Sequence, residues 1–463
     1  MYLPFLTSKD SDGTFGLDWI TPGRLQTITD IRVCSICILV YLFLVAAPAL
    51  STVTRVPVRR NANYDADGSK SLIWLYNKYN ITPACPGPFY RDSNGVLKKR
   101  QDDAASTEVN ADDQLNDTFY TCPIWIGTPG QQLEVTFDSG SADTWVWSSR
   151  LSPQTVALAN SRGSAIYDLA KSTSYTNLTG STWLARYGDG SSASGTVVTD
   201  VLQVGDITVE NQAIEVANTL SYSFITQAAS EGILGLAFSR LNKVQPVPQK
   251  TPLDNMIAQE DIPGSQALFT CYLGSYKDAG DPDQGISFFT FGEIDQDVVK
   301  ATGRQISYTP VNDTKGFWQI DSEFITINGK KTALVDNTAI VDTGTTLVII
   351  EDELVAEIYS TIPGARFDAQ EGGWVFPAST PADKMPTVVL AVGQTEVIIE
   401  KEHLGFTPVK KTGMVYGGIQ GRGNSKYNIF GDTLLKCVYA VFDAGNMRFG
   451  VVQRVDETQN IAV

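Results

Sequence analysis

The sequence predicts a mainly β protein of two lobes built on one plan, with a cleft between them and few short helices. Three observations carry this. The chain holds 39 Gly and 21 Pro beside few long helical patterns, a composition of short strands and turns. From about residue 116 onward the text alternates apolar runs with turn residues. Most telling is a long-range repeat: Asp138-Ser139-Gly140-Ser141 is followed by Ile233-Leu234-Gly235, and Asp342-Thr343-Gly344-Thr345 by Ile429-Phe430-Gly431. The Asp-to-Gly spacings are 97 and 89 residues, and like order at like spacing implies two lobes related by an approximate two-fold axis, each presenting its aspartate there.

At 463 residues, with 43% hydrophobic and 19% charged content, the chain is long enough for more than one core. Net charge is −16, unevenly placed: residues 1–100 hold 12 Lys and Arg against 7 Asp and Glu, leaving 23 against 44 in the remainder. So acidic a body repels nucleic acid. The single histidine, His403, can build neither a zinc site nor a serine-protease proton relay, and reads as an exposed loop residue.

Taken in order, the elements begin with the apolar run 33–51, which ends in Ala47-Pro48-Ala49 and reads as a secretory signal cut after Ala49. Its preceding segment is long for a signal, so an uncleaved signal anchor competes with this reading, as does a mistaken first exon. Residues 1–49 are thus an N-terminal extension with signal or anchor, and 50–100 a basic propeptide ending in Lys99-Arg100, a dibasic site where cleavage after Arg100 is expected because the composition turns acidic there. A flexible mature N-terminus (101–115), an N-terminal lobe (116–300), a C-terminal lobe (301–453) and a tail (454–463) follow.

Hairpins are expected around Gly-Thr-Pro-Gly at 127–130 and around the Gly/Ser tip of "ARYGDGSSASG", and helices at "PLDNMIAQE" and "DELVAEIYSTI". Cys34 and Cys37 lie inside the apolar run, which argues against a redox role, and Cys122, Cys271 and Cys437 are expected as buried free thiols, with a Cys271–Cys437 bridge as the alternative. Asn80, Asn116, Asn177 and Asn312 lie in Asn-x-Ser/Thr sequons and are glycosylation candidates if the chain is secreted.

An Asp after an apolar strand and before Gly is ordinarily a turn former. Two copies in matching contexts point elsewhere: if the axis brings the carboxyls into hydrogen-bond contact, both cannot readily ionise, and the pair holds one proton. One oxygen then serves as base and another as acid, enough to activate water against a peptide carbonyl without histidine, metal or nucleophilic side chain. Gly140 and Gly344 allow close approach and donate N–H to the carboxylates; Ser139 and Thr343 offer hydroxyls to the opposite lobe's backbone; Ser141 and Thr345 offer hydroxyls to the outer carboxylate oxygens.

"FDSGSADTWVW", "YGDGSSASG", "EGILGLA", "AIVDTGTT" and "YNIFGD" together resemble the pepsin-like aspartic endopeptidases, especially their secreted fungal branch, in order over roughly 116–453. The resemblance implies a bilobal pepsin-like fold, an acid-acting endopeptidase made as a zymogen, Asp138 and Asp342 as catalytic dyad, no cofactor, and protein or peptide substrates. It makes the second hairpin a flap with Tyr187 at its tip side, Gly188 and Gly190 permitting motion, and Trp145 supporting Tyr187 through its indole N–H. Asp189 is a candidate for admitting a basic side chain beside the scissile bond, and Phe224 for lining a hydrophobic substrate pocket, with core packing as its alternative. The basic propeptide becomes an intramolecular inhibitor with Lys78 of "LYNKYN" as the candidate facing the dyad. The family's usual paired cysteines are missing, Ser139 replaces the commoner Thr, and Glu231 replaces the commoner Asp. A secreted monomer is expected, with vacuolar or membrane-anchored forms through residues 33–50 as alternatives, and a binding protein that has lost catalysis as the reading from another class.

Overall fold

Two parallel strand pairs place the aspartates, and each is written in the repeat. In the computed structural model, Gln131–Asp138 runs parallel to Gly232–Gly235 with Leu234 beside Phe137 and Gly235 beside Asp138. In the second lobe Thr338–Val341 runs parallel to Asn428–Phe430, with Phe430 beside Val341, and Asp342 N–H donates to the Phe430 carbonyl at 3.0 Å. Each apolar-apolar-Gly strand also has an antiparallel neighbour, Thr144–Val146 in the first lobe and Val348–Ile350 in the second. The two lobes therefore repeat one arrangement, and the fold is mainly β and bilobal, as expected from the sequence.

The structure describes residues 53–60, 66–99 apart from 86 and 94, 120–186, 192–221, 224, 230–275 and 285–454, together with a two-residue strand pair, Phe5–Leu6 with Leu17–Asp18, in the separate unit Met1–Thr52. The apolar run with Cys34 and Cys37, Arg100, the stretch 101–115, Asn116, the flap residues Tyr187, Gly188, Asp189 and Gly190, and residues 455–463 lie outside the described residues. Among the described residues no helix is long and apolar enough to cross a membrane.

Both expected hairpins form: Tyr120–Ile126 pairs with Gln131–Asp138, and Thr176–Arg186 with Ser192–Val204. The expected helices occupy Pro252–Ala258 and Asp352–Ser360. Beneath the lobes lies a six-stranded sheet ordered Ser307–Pro310, Arg448–Gln453, Val438–Asp443, Leu268–Tyr272, Phe288–Phe291 and Val56–Pro57, so strands from both halves share one base. Phe137, immediately before Asp138, packs on Phe289 of this base at 5.1 Å between ring centroids, and Phe269 stacks on Phe442 at 4.3 Å. Trp318, fully buried, donates its indole N–H to the Leu236 carbonyl at 2.9 Å and ties the halves again above the base. Arg454 is buried too, donating to the carbonyls of Leu273 and Lys436.

Residues 53–99 are folded onto this body rather than trailing from it. Arg59–Arg60 extends the first-lobe sheet beside Tyr120 and Thr121. Gly68–Lys78 is a helix, capped by Asp67 Oδ1 accepting from Lys70 N–H at 2.9 Å. Its Leu72, Ile73, Leu75 and Tyr76, at helical spacing, bury one face against second-lobe residues Ile340, Ile349, Val375 and Ile429. Each such apolar side chain stabilises docking by roughly 1.5–3 kcal/mol relative to exposure. Gly68 starts the helix because a Cβ there would fall 2.1 Å from the Tyr416 ring.

Cys122, Cys271 and Cys437 are buried free thiols and Cys85 an exposed one, so the Cys271–Cys437 bridge does not form. The expectation for His403 is wrong: it is 5% exposed, in the turn Lys401–Leu404. Gly418 is the reason. Its N–H binds the Leu404 carbonyl at 2.9 Å, and only the lack of a side chain lets the His403 carbonyl lie where a Cβ would be 2.4 Å away.

Candidate active site

The strand ends at Asp138 and Asp342 turn sharply, and the turns interlock. Ser139 Oγ donates to the Val341 carbonyl at 3.0 Å and Thr343 Oγ1 to the Phe137 carbonyl at 2.7 Å. Each hydroxyl also accepts the other residue's N–H, both at 3.0 Å. Ser139 thus does everything Thr343 does across the axis, as only the hydroxyl is used. Gly140 and Gly344 donate N–H to the Oδ1 of Asp138 and Asp342 at 2.8 and 2.9 Å. A Cβ on Gly140 would lie 2.4 Å from Asp342 Oδ1, and one on Gly344 2.3 Å from Asp138 Oδ1. Each glycine makes room for the opposite acid.

Each carboxyl thus lies against the other's turn, and both are almost wholly buried. Ser141 Oγ donates to Asp138 Oδ2 at 2.6 Å, as expected. Thr345 does not take the matching role: its Oγ1 donates to the Asp342 carbonyl at 3.3 Å, and the outer oxygen, Oδ2, is held instead by the Tyr79 hydroxyl at 2.7 Å. With a phenol already seated on Oδ2, the threonine hydroxyl turns to the nearest backbone acceptor.

Lys78 ends the docked helix with its ammonium between the two acids, 2.8 Å from Asp138 Oδ1, and 3.1 and 2.9 Å from Asp342 Oδ1 and Oδ2. Burial works against its charge, but the attraction of Asp138 and then Asp342 outweighs it and raises the Lys78 pKa. Asp138 is buried as well, yet the ammonium and the hydrogen bonds from Asp342, Lys78 and Ser141 hold it below the usual carboxylate value. Burial pushes Asp342 up to about 6; Lys78 pulls it down and the Asp138 charge adds to the rise. One acid is thus disposed to be ionised and its neighbour to hold a proton. Tyr79 sits between Phe317 and Tyr427, ring centroids 5.6 and 6.4 Å away, and burial followed by the Asp342 charge keeps it a neutral donor.

More ion pairs fasten the same segment to the body: Arg55 to Asp295 at 2.6 Å, Arg59 to Glu134 at 2.7 Å and Lys99 to Glu371 at 3.0 Å. Trp145 is buried, stacked on Trp183 and edge-on to Phe224 at 5.4 Å; Phe224 is half-buried against that cluster. Asn177, Asn312 and Asn80 are exposed.

Paired acids on symmetry-related turns, locked by reciprocal hydroxyls, agree with what comparison with known proteins finds. A family model described as eukaryotic aspartyl protease matches residues 119–454. The chain belongs to that family. It is an aspartic endopeptidase, a hydrolase acting on peptide bonds. It is 37% identical over 386 residues to endothiapepsin of Cryphonectria parasitica, covering 83% of this chain and 86% of that one. Identity is 37% over 335 residues to aspergillopepsin-1 of Aspergillus fumigatus, covering 72% and 78% of the two chains. It is 35% over 368 residues to an aspartic protease of Arthroderma gypseum, covering 76% and 84%.

The protease carries one element that sequence reading missed, the tyrosine following Lys78. Its signal was there, in the amphipathic spacing of Leu72, Tyr76 and Tyr79 that puts Lys78 and Tyr79 at the end of one helix.

Proposed function

We propose that the protease is an acid-acting endopeptidase made as a zymogen, in which Asp138 and Asp342 activate water and residues 53–99 block them until acid loosens Lys78. The observation that carries this reading is the Lys78 ammonium bonded to both acids at 2.8 and 2.9 Å. With the ammonium gone, Asp138 retains donors from Gly140 and Ser141, which favour its carboxylate, while Asp342 retains only Gly344 N–H among these. Asp138 then takes a proton from water as its oxygen attacks the peptide carbonyl, and Asp342 donates a proton to the developing oxyanion. The gem-diol collapses, the C–N bond breaks, and the leaving nitrogen takes its proton from the same pair. No covalent intermediate forms.

Cleavage after Arg100 would free the body from its basic segment, and the run 33–51 would direct the chain to secretion, with Asn177 and Asn312 as exposed glycan acceptors and Asn116 a further one. The region 187–190 would close over an extended substrate, with Asp189 favouring a basic side chain; equal cleavage after Lys by wild type and Asp189→Ser removes that role. The deciding assay digests a denatured protein with the full chain at acid pH, with and without a statine-type mimic of the gem-diol. Asp138→Asn and Asp342→Asn should each lose activity by about a thousandfold or more; unaltered cleavage by either overturns the dyad.

A further inference from the structure

The first lobe buries a second pair of acids that the water-activating chemistry does not use. Asp143 lies five residues after Asp138 on the same turn, and Glu215 lies on the strand Ile207–Leu220, whose register puts it beside Trp145. Their exposures are 4% and 1%. Among the described residues neither is hydrogen-bonded to a cationic side chain. Asp143 Oδ1 accepts the backbone N–H of Lys243 at 2.7 Å and Glu215 Oε1 the Asn242 amide at 2.9 Å, with the Thr144 N–H also directed at the Glu215 carboxyl. Two such groups cannot both be ionised cheaply.

The pair is wired to the catalytic turn through backbone. The same Asn242 amide that binds Glu215 also donates to the Ala142 carbonyl at 3.1 Å, while Asn242 Oδ1 accepts from Val244 and Gln249 N–H at 3.1 and 2.8 Å. Leu236 and Ala237 N–H bind the Asp138 and Ser141 carbonyls at 2.8 and 2.9 Å. Gly235 lets the turn press so close that a Cβ would lie 2.6 Å from the Ala142 backbone. Any charge that pushes Asp143 away from Glu215 therefore pushes on the turn that carries Asp138.

We propose that Asp143 and Glu215 are positioning residues for Asp138: with at least one proton between them they hold the 139–143 turn against the sheet, and losing that proton as pH rises sets the upper pH limit of proteolysis. The ionisable groups facing the pair are Lys243, on the loop beyond Gly235, and Asp138 itself. Burial pushes Asp143 up to about 6, the Lys243 N–H and charge opposing and Asp138 adding to it; burial and then Asp143 push Glu215 up well above its usual value. Both folded values lie above the unfolded ones, so stability is undiminished at acid pH, declines as pH rises from the ordinary carboxylate range through about 6, where Asp143 ionises, and alignment fails above that, when Glu215 gives up the pair's remaining proton.

This inference rests on the dyad reading above. Its test measures kcat/KM against pH for the full chain, activated in acid and returned to each pH, as wild type, Asp143→Asn and Glu215→Gln. The falling limb is expected to move up by about one pH unit in each variant, with the rising limb unchanged. The thermal midpoint should rise relative to wild type near pH 7 and match it near pH 4. Infrared titration adds a readout that needs no turnover: a protonated-carboxyl stretch that is present in the wild type and missing from Asp143→Asn or Glu215→Gln should disappear with the midpoint of the activity limb. A limb superimposed on wild type in folded variants, or a carboxyl titration identical in wild type and variants, overturns the proposal. No proteolysis by the wild type at any pH would instead overturn the dyad reading, and the thermal and infrared measurements would still judge the pair.

Discussion

Ser139 and Thr343 bind each other twice, each hydroxyl accepting the other's N–H at 3.0 Å, from turns 204 residues apart in the chain. Both residues are buried, so removing one hydroxyl strands a donor with no water to replace its partner. Ser139→Ala should lower stability by about 1–3 kcal/mol in urea unfolding and reduce kcat more than it raises KM. Wild-type stability would show the lock to be decorative.

The Lys78 ammonium is bonded to both buried acids, and its removal leaves their negative charge facing the docked helix without that cation. Lys78→Ala should speed conversion to a chain starting near Gln101 by about tenfold or more, as followed by N-terminal sequencing over time. Unchanged conversion kinetics count against Lys78 as the block.

If residues 53–99 act as the proposed block, Asp342 makes their release acid-dependent. Burial pushes the Asp342 pKa up to about 6 against the pull of Lys78, so protonating Asp342 gives up its attraction for the ammonium. Docking loses the Lys78–Asp342 ion pair as pH falls through about 6. Hydrogen exchange in residues 68–79, read before any cleavage, should accelerate across that range, and the step should vanish in Asp342→Asn.

Gly68→Ala separates the block from the enzyme. Its Cβ would meet the Tyr416 ring at 2.1 Å, so the helix cannot dock as it does, while no group at the dyad is touched. Full-length Gly68→Ala should cleave a peptide at pH values where the wild-type full chain is silent. Its processed product should match wild type in kcat/KM. An equally silent full-length variant would show that docking tolerates the clash.

Much of this was legible in residues 138–141 and 342–345 because the same short phrase occurs twice, each time with its apolar-apolar-Gly partner far downstream. Repetition fixes symmetry, and symmetry fixes where the acids meet. Thr345 was misread because its hydroxyl direction depends on what already occupies Asp342 Oδ2, and that is Tyr79 from a segment hundreds of residues away. His403 was misread because a lone histidine with no catalytic or metal role was placed on the surface by default, whereas the close approach of Gly418 covers it. Side-chain direction and long-range cover are tertiary facts that a local pattern does not encode.

Gly140 and Gly344 stand as vacancies kept for the other half's acid. Neither half of the chain is therefore a complete template for its own turn: a bulkier residue at 140 harms Asp342, on the opposite side, before it harms Asp138. Duplicated halves joined in this way are mutually captive, and any lengthening or filling of one turn has to be matched in its counterpart.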